Sequence, residues 1–263
     1  MRSAGNTSSG LILFALVALT ASAGFVRLGI WQLERHREVR AANATKAERL
    51  AREPVRLDPS MLRGDSTEAL IGRRVEVRGR WETDREVVIR SRARAGTPGI
   101  HVVTPLRLDD VADDPADGPS SILVLRGWQS SVDAVRRGSA SADSGADGRE
   151  HLLALVRESR TGRGAPMVRL GGDGGVPSYA AIDVELISGG REESAPFFLQ
   201  LLPAEGGLQD RPGEPIPVPL PTLEGGSHMS YAIQWFSFAL ITIVGSIAFL
   251  RRESGSRGLR APE

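Results

Sequence analysis

Residues Tyr231–Leu250, YAIQWFSFALITIVGSIAFL, carry no charged side chain. A helix of about 20 apolar residues crosses the hydrocarbon layer of a bilayer, where every backbone amide must be satisfied within the helix itself. This run has that length. Tyr231, Trp235 and Phe236 cluster at its start, as interfacial aromatics do, and Arg251, Arg252, Arg257 and Arg260 follow its end. The positive-inside rule then places the C-terminus in the cytoplasm and whatever precedes the helix outside it.

A second apolar run lies at the other end, from Gly10 to Val26. Arg27 interrupts it, and Leu28, Gly29, Ile30 and Trp31 extend it. It spans a bilayer if Arg27 snorkels to the interface and Trp31 joins the aromatic belt. A competing reading is a signal peptide, with Arg2 as a thin basic region and Ala21-Ser22-Ala23 as a small-residue cleavage pattern. Arg35, Arg37 and Arg40 follow this run on the outer side and oppose the hairpin topology. The C-terminal signal is the cleaner of the two and decides the orientation. The expected organisation is a cytoplasmic tail over residues 1–10, a first span over 11–30, an extracytoplasmic β-rich domain over 31–226, a second span over 229–250, and a basic cytoplasmic tail over 251–263.

Composition narrows the chemistry. There is no cysteine, which removes thiolate metal sites, iron–sulfur clusters, covalent haem attachment through CxxCH and structural disulfides. The 33 basic and 32 acidic residues nearly cancel, so no nucleic-acid footprint is present. The wealth of Gly, Pro, Arg and Ala fits a GC-rich bacterial source, and with the two spans it predicts a multi-pass protein of the bacterial inner (cytoplasmic) membrane.

Between the spans, Arg35–Arg52 reads as a polar helix leaving the membrane. Short alternating runs follow at Arg73–Trp81, Glu86–Arg92, Ile100–Leu108, Ile122–Trp128, Leu152–Arg157, Ala181–Ile187 and Phe197–Leu202. Their β-branched residues and Gly/Pro/Asp breakers predict an antiparallel sheet closing as a barrel or sandwich, so the fold class is an α+β membrane protein. Asp109–Ser121, Gly138–Glu150 and the glycine-dense Gly171–Gly175 read as loops. Arg211–Pro221, RPGEPIPVPLP, reads as an extended proline-rich spacer rising roughly 3 Å per residue.

Catalytic motifs are sparse. The four histidines, His36, His101, His151 and His228, form no ligand-spaced pair, and neither a GxSxG elbow nor a phosphate-binding loop occurs. His228 lies just before the second span, with Tyr231 and Trp235 following at i+3 and i+7 on one helical face. Two readings stand: an imidazole placed to ligate a haem iron, or an interfacial polar residue beside an aromatic belt. Gln234, one turn inside, is suited to bonding the first helix or a partner protein. Arg126 ends the apolar strand LVLRGW, where it either meets an acidic group of a ligand or forms a strand-end salt bridge.

Four fragments in order resemble the Surfeit locus protein 1 family, assembly factors for haem–copper cytochrome oxidases. They are Leu28–Arg35 (LGIWQLER), Gly96–Leu106 (GTPGIHVVTPL), Leu123–Trp128 (LVLRGW) and Ser227–Phe236 (SHMSYAIQWF). The chain departs from the family at His36–Arg40 and at Gln129-Ser130. The resemblance implies a retained first anchor and a role in assembling cytochrome c oxidase. It implies delivery or insertion of haem a, a chaperone's task and not an enzyme's. The oxidase catalytic subunit and a haem a synthase are the implied partners, alongside the lipid bilayer. His228 is the implied haem-iron ligand; beside it, Tyr231 and Trp235 are expected to pack the porphyrin and Arg126 or Arg27 to meet a propionate. The alternatives are a protein-only membrane scaffold for oxidase subunits and a membrane-anchored extracytoplasmic enzyme.

Overall fold

A computed structural model of the chain describes residues 4–62, 66–109, 119–130, 149–159, 168–170, 175–190, 194–203, 214–220, 223 and 226–258. They form two compact units, one comprising Met1–Ala47 with Leu223–Glu263 and the other Glu48–Thr222.

The first unit is built from two helices. α1 runs unbroken over Ala4–Ala51, about 70 Å at 1.5 Å per residue, so the polar segment expected after the first span continues the same helix. Its Ala, Glu, Arg and Lys are strong helix formers, and Pro54 halts it, since proline disfavours helical backbone in the residue before it. At its end Arg52 donates to Glu48 across one turn (2.7 Å). The C-terminal helix, α4, spans His228–Gly258. Both are long and apolar enough to cross a membrane, and the exposed faces of their apolar stretches carry Ile12, Leu16, Leu19, Ile233, Leu240 and Ile241. Such faces are unfavourable in water and suit lipid.

The second unit is the predicted β domain, and it closes as a barrel. Its strands are β1 (Val55–Arg56), β2 (Arg74–Trp81), β3 (Val87–Arg94), β4 (Thr97–Leu108), β5 (Ser121–Ser130), β6 (Arg149–Glu158), β7 (Val168–Leu170), β8 (Val176–Tyr179) and β9 (Ser194–Leu201), with short helices α2 (Ser66–Leu70) and α3 (Val184–Ser188). The sheet order is β1-β2-β6-β9-β5-β4-β3-β8-β7, and β2 pairs a second time with β4. That pairing joins β2, β6, β9, β5 and β4 into a five-stranded ring. The ring is mainly antiparallel, with one parallel pair, β5–β9.

Side-chain alternation explains two cores. Ile122 and Val124 of β5 and Phe197 and Leu199 of β9 point inward, beside Val75, Val77 and Leu106. The intervening Leu123, Leu125 and Phe198 point outward and are covered by Ile89, Tyr179 and Ile182. Both faces are apolar, so β5 reads as a continuous hydrophobic run.

Closure has a local requirement at Gly79, opposite Leu108 where β2 meets β4. A Cβ there would overlap the Arg107 carbonyl oxygen, so only glycine lets the backbones meet.

The structure corrects one element and adds others. Ala181–Ile187 is not a strand: Val184–Ser188 is helical, capped by Asp183, whose carboxylate accepts from Leu186 N–H at 3.2 Å, and ended by Gly189 in the left-handed region. β1, β7 and β8 were not anticipated. Most of the expected loops at Asp109–Ser121, Gly138–Glu150 and Gly171–Gly175 lie outside the described residues, although Ser121, Arg149 and Glu150 belong to strands. Of the proline-rich run, residues 214–220 are described, and they lie against the barrel. Trp128 and Ile216 exchange both backbone bonds, at 2.6 and 2.7 Å. Gln200 Nε2 donates to the Val218 carbonyl at 2.8 Å.

Candidate functional site

α4 (His228–Gly258) packs antiparallel on the first half of α1. Buried and half-buried positions recur in steps of four and three, at Leu11, Ala15, Ala18, Ser22, Phe25, Gly29, Gln32 and His36 on α1. On α4 they are His228, Ala232, Trp235, Ala239, Thr242 and Ser246. A 3.5-residue repeat of mostly small residues is the pattern of two helices in close left-handed contact. Aromatic rings fill the seam where it widens: Trp235 stacks on Phe25 with centroids 5.8 Å apart, and Phe14 meets Phe249 at 4.8 Å. At Gly29 the approach is tightest, because a Cβ would stand 2.7 Å from the Phe236 ring.

At the end of this seam lies the residue singled out above. His228 is half-buried, and its Nδ1 is 2.9 Å from Oε1 of Gln32. A carbonyl oxygen only accepts, so with this orientation Nδ1 carries the proton and donates. In the neutral ring the other nitrogen, Nε2, then keeps its lone pair, the form in which histidine ligates a metal. Gly226, at φ +65°, lies beside that edge of the ring: its missing Cβ would stand 3.6 Å from Nε2. Nε2 thus lies on the Gly226 side of the imidazole, at the start of α4.

The other candidates are placed as follows. Trp235 is half-buried in the seam two turns on, while Tyr231 flanks it and is 50% exposed. Gln234 is exposed, and it is Gln32 that bonds across the helix pair. Arg27 is exposed on α1. His36, one turn beyond Gln32 on the same face, has a buried Nδ1 with no hydrogen-bond partner. Arg126 belongs to the β unit. It occupies a bulge in β5, where Gly127 opposes Val102 and Leu125 opposes Val103. Its guanidinium lies 3.6 Å from the Glu86 carboxylate and 4.9 Å over the Trp81 ring. Sequence reasoning gave Gln32 and Gly29 no role. Their partners are about 200 residues away, and no local spacing announces them.

Of the remaining histidines, His151 lies 3.6 Å from Glu76 on the surface. His101 is held neutral, its pKa lowered to about 4 by burial and then by the Arg92 charge. An unfolded chain protonates this residue near its ordinary value of 6.5, before the folded one does. Stability is therefore full above about pH 6.5 and falls as the pH drops towards 4. Discounting for solvent screening of a half-buried group, about 2 kcal/mol of the acid loss is expected to come from this residue. Denaturation midpoints at pH 7.5 and 4.5 should converge by that amount in His101→Gln, and an unchanged pH dependence would contradict this assignment.

An antiparallel pair of apolar helices joined to a small closed barrel defines a membrane-anchored β-barrel protein. No group of three or more potential metal ligands occurs among the described residues. The sequence model of the SURF1 family matches residues 19–240, and the chain belongs to that family. It is 29% identical over 257 residues to a SURF1-like protein of Monosiga brevicollis, covering 89% of this chain and 87% of the relative. The family is one of cytochrome oxidase assembly factors and not of enzymes.

Proposed function

We propose that the protein assists the delivery or insertion of haem a into the catalytic subunit of a haem–copper cytochrome c oxidase, with haem a as transient cargo at His228. The observation that carries this reading is the His228–Gln32 bond, which commits Nδ1 and leaves Nε2 for iron. The residues fit the group. Haem requires a neutral nitrogen donor and flat apolar contacts, and His228 supplies the first. Trp235 and the half-exposed Tyr231 supply the second, at the end of a helix pair suited to a bilayer. Arg126 is already set against Glu86 and Trp81, so the proposal rests on the helical unit alone. The β unit is read as extracytoplasmic and the membrane as the bacterial inner membrane, on the strength of the basic C-terminal tail.

Haem, if bound, would be held through its iron by His228 and along its apolar face by Trp235 and Tyr231. The chain's part is to fix the imidazole tautomer, to cover one porphyrin face, and to release. A single neutral imidazole backed by a neutral amide is a moderate donor, as a carrier requires.

The test is the optical spectrum of the detergent-purified protein made in cells that synthesise haem a. His228→Ala is expected to lose the haem a bands. Gln32→Leu is expected to retain them at roughly 10–100-fold weaker affinity, the usual cost of removing a hydrogen bond behind a ligating histidine. Absence of haem from the wild type, with normal oxidase haem content in the His228→Ala strain, would replace this reading by a protein-only scaffold.

A further inference from the structure

The face of α1 that forms the helix seam continues past the point where α4 begins. Phe14 meets Phe249, Phe25 meets Trp235 and Gln32 meets His228, so each step forward on α1 answers one step back on α4. His36 lies one turn beyond Gln32, about 6 Å further along the axis. That register sets it level with the chain just before α4, near Gly226. His228 Nε2 lies on the same side of its ring, since a Cβ on Gly226 would stand 3.6 Å from it. Tyr231 and Trp235 lie the other way, one and two turns into α4. The end of the seam is therefore graded: aromatic rings, then the His228 imidazole, then a second imidazole.

The two imidazoles differ in where a proton can reside. His228 Nδ1 has an acceptor in Gln32 Oε1. His36 Nδ1 is buried and has no hydrogen-bond partner. A buried N–H without an acceptor is a costlier fault than a buried lone pair without a donor. In the neutral ring of His36 the proton therefore sits on Nε2. That nitrogen makes no hydrogen bond among the described residues and is not shut away as Nδ1 is, so it faces outward as a donor. A metal-ligating imidazole has its far N–H held by an acceptor, as His228 has and His36 has not. The pair is thus divided in role, with a lone pair offered by His228 and an N–H offered by His36.

The arginines expected to meet a propionate do not occupy this position. Arg126 is set against Glu86 and Trp81 in the β unit, and Arg27 is exposed on the far side of Gln32 from His36. From the geometry we infer that His36 recognises a carboxylate of the cargo, donating its Nε2–H to one propionate. The inference rests on the haem reading of His228 and adds a direction to it. His36 holds the acidic edge of the porphyrin at the end of the seam, and Tyr231 and Trp235 take the apolar edge on the side of the span. A hydrogen bond to a charged acceptor is available at one edge of the macrocycle only, so a porphyrin entering the other way round is not held by it. His36 touches the rim of the cargo and not its iron.

The detergent-purified full chain is titrated with iron(III) protoporphyrin IX and, separately, with its dimethyl ester, which keeps the ring and the iron but has no free carboxylate. Optical spectra report both affinity and axial ligation. In His36→Leu the ratio of acid to ester affinity is expected to fall at least tenfold from its wild-type value, the effect of one hydrogen bond to a charged group. Ester affinity and the ligation spectrum should stay as in the wild type. His36→Gln, whose amide N–H can replace Nε2–H, should restore most of the ratio, and circular dichroism checks the fold of both variants. An unchanged ratio in His36→Leu would overturn the inference. So would a changed axial ligation in that variant, which would make His36 an iron ligand. Failure of the wild type to bind either porphyrin, or undiminished ligation in His228→Ala, would overturn the carrier reading and this inference with it.

Discussion

Replacing Gly79 with alanine is expected to destabilise the β unit by about 3 kcal/mol or more, and with valine to prevent it from closing. The added Cβ overlaps a backbone carbonyl, that of Arg107, and not the mobile end of a side chain. The strands must therefore separate, and the backbone pairing of Gly79, Arg80 and Trp81 with Leu108, Arg107 and Leu106 is lost together. Overpacking a side chain costs about 1–3 kcal/mol, and a backbone obstruction that also breaks a ladder belongs at or above that range. Domains are stable by only about 5–15 kcal/mol, so this is a large fraction. Hydrogen exchange of the β2 and β4 amides provides the readout. Wild-type protection in Gly79→Val would show that the ring does not depend on this contact.

The second large effect is expected at Gly29. A Cβ there meets only the Phe236 ring, which can rotate, so Gly29→Ala should be accommodated. Gly29→Leu cannot be, and the helices must move apart within one turn of the His228–Gln32 bond. Close backbone approach at small residues supplies the packing that holds helices together in lipid, where no hydrophobic effect does so. The chain has no cysteine, which offers a clean background for a distance measurement. With Gln32 and His228 both replaced by cysteine, a short bis-maleimide should bridge them efficiently when residue 29 is glycine. Bridging should fall at least tenfold when it is leucine, and undiminished bridging would refute the close-packed seam. In the otherwise native protein, the same leucine should weaken haem retention as strongly as Gln32→Leu.

What the sequence made legible follows from how local each signal is. The span at Tyr231–Leu250 and the six strands that were correctly placed rest on charge-free length and two-residue alternation, which are visible within ten to twenty residues. Ala181–Ile187 misled because its apolar residues also alternate. The competing signals were present, namely Asp183 as a helix cap and Gly189-Gly190 as a stop. β1, β7 and β8 have two to four residues each and owe their pairing to neighbours, not to propensity. The site was half visible. Gln234 was expected to bond the first helix or a partner protein, whereas no residue of α1 was expected to bond His228. The residue that bonds it, Gln32, is 196 positions away. Arg126 illustrates the same limit: its strand was evident, but the bulge that turns it onto Trp81 depends on the register with β4.

The order of strands around the ring has a consequence for how the chain reaches it. β9 is the last ring strand to be synthesised, yet it lies between β6 and β5, which precede it. Until residues 194–201 emerge, β6, β2, β4 and β5 can pair only as an open sheet with β5 and β6 as its free edges. Those edges carry Val124 and Val156, whose side chains belong to the interior core of the finished ring. Exposed apolar edges of this kind invite pairing with other chains. The nascent protein thus passes through a stage in which it is itself prone to aggregate, and a single late strand ends that stage by insertion.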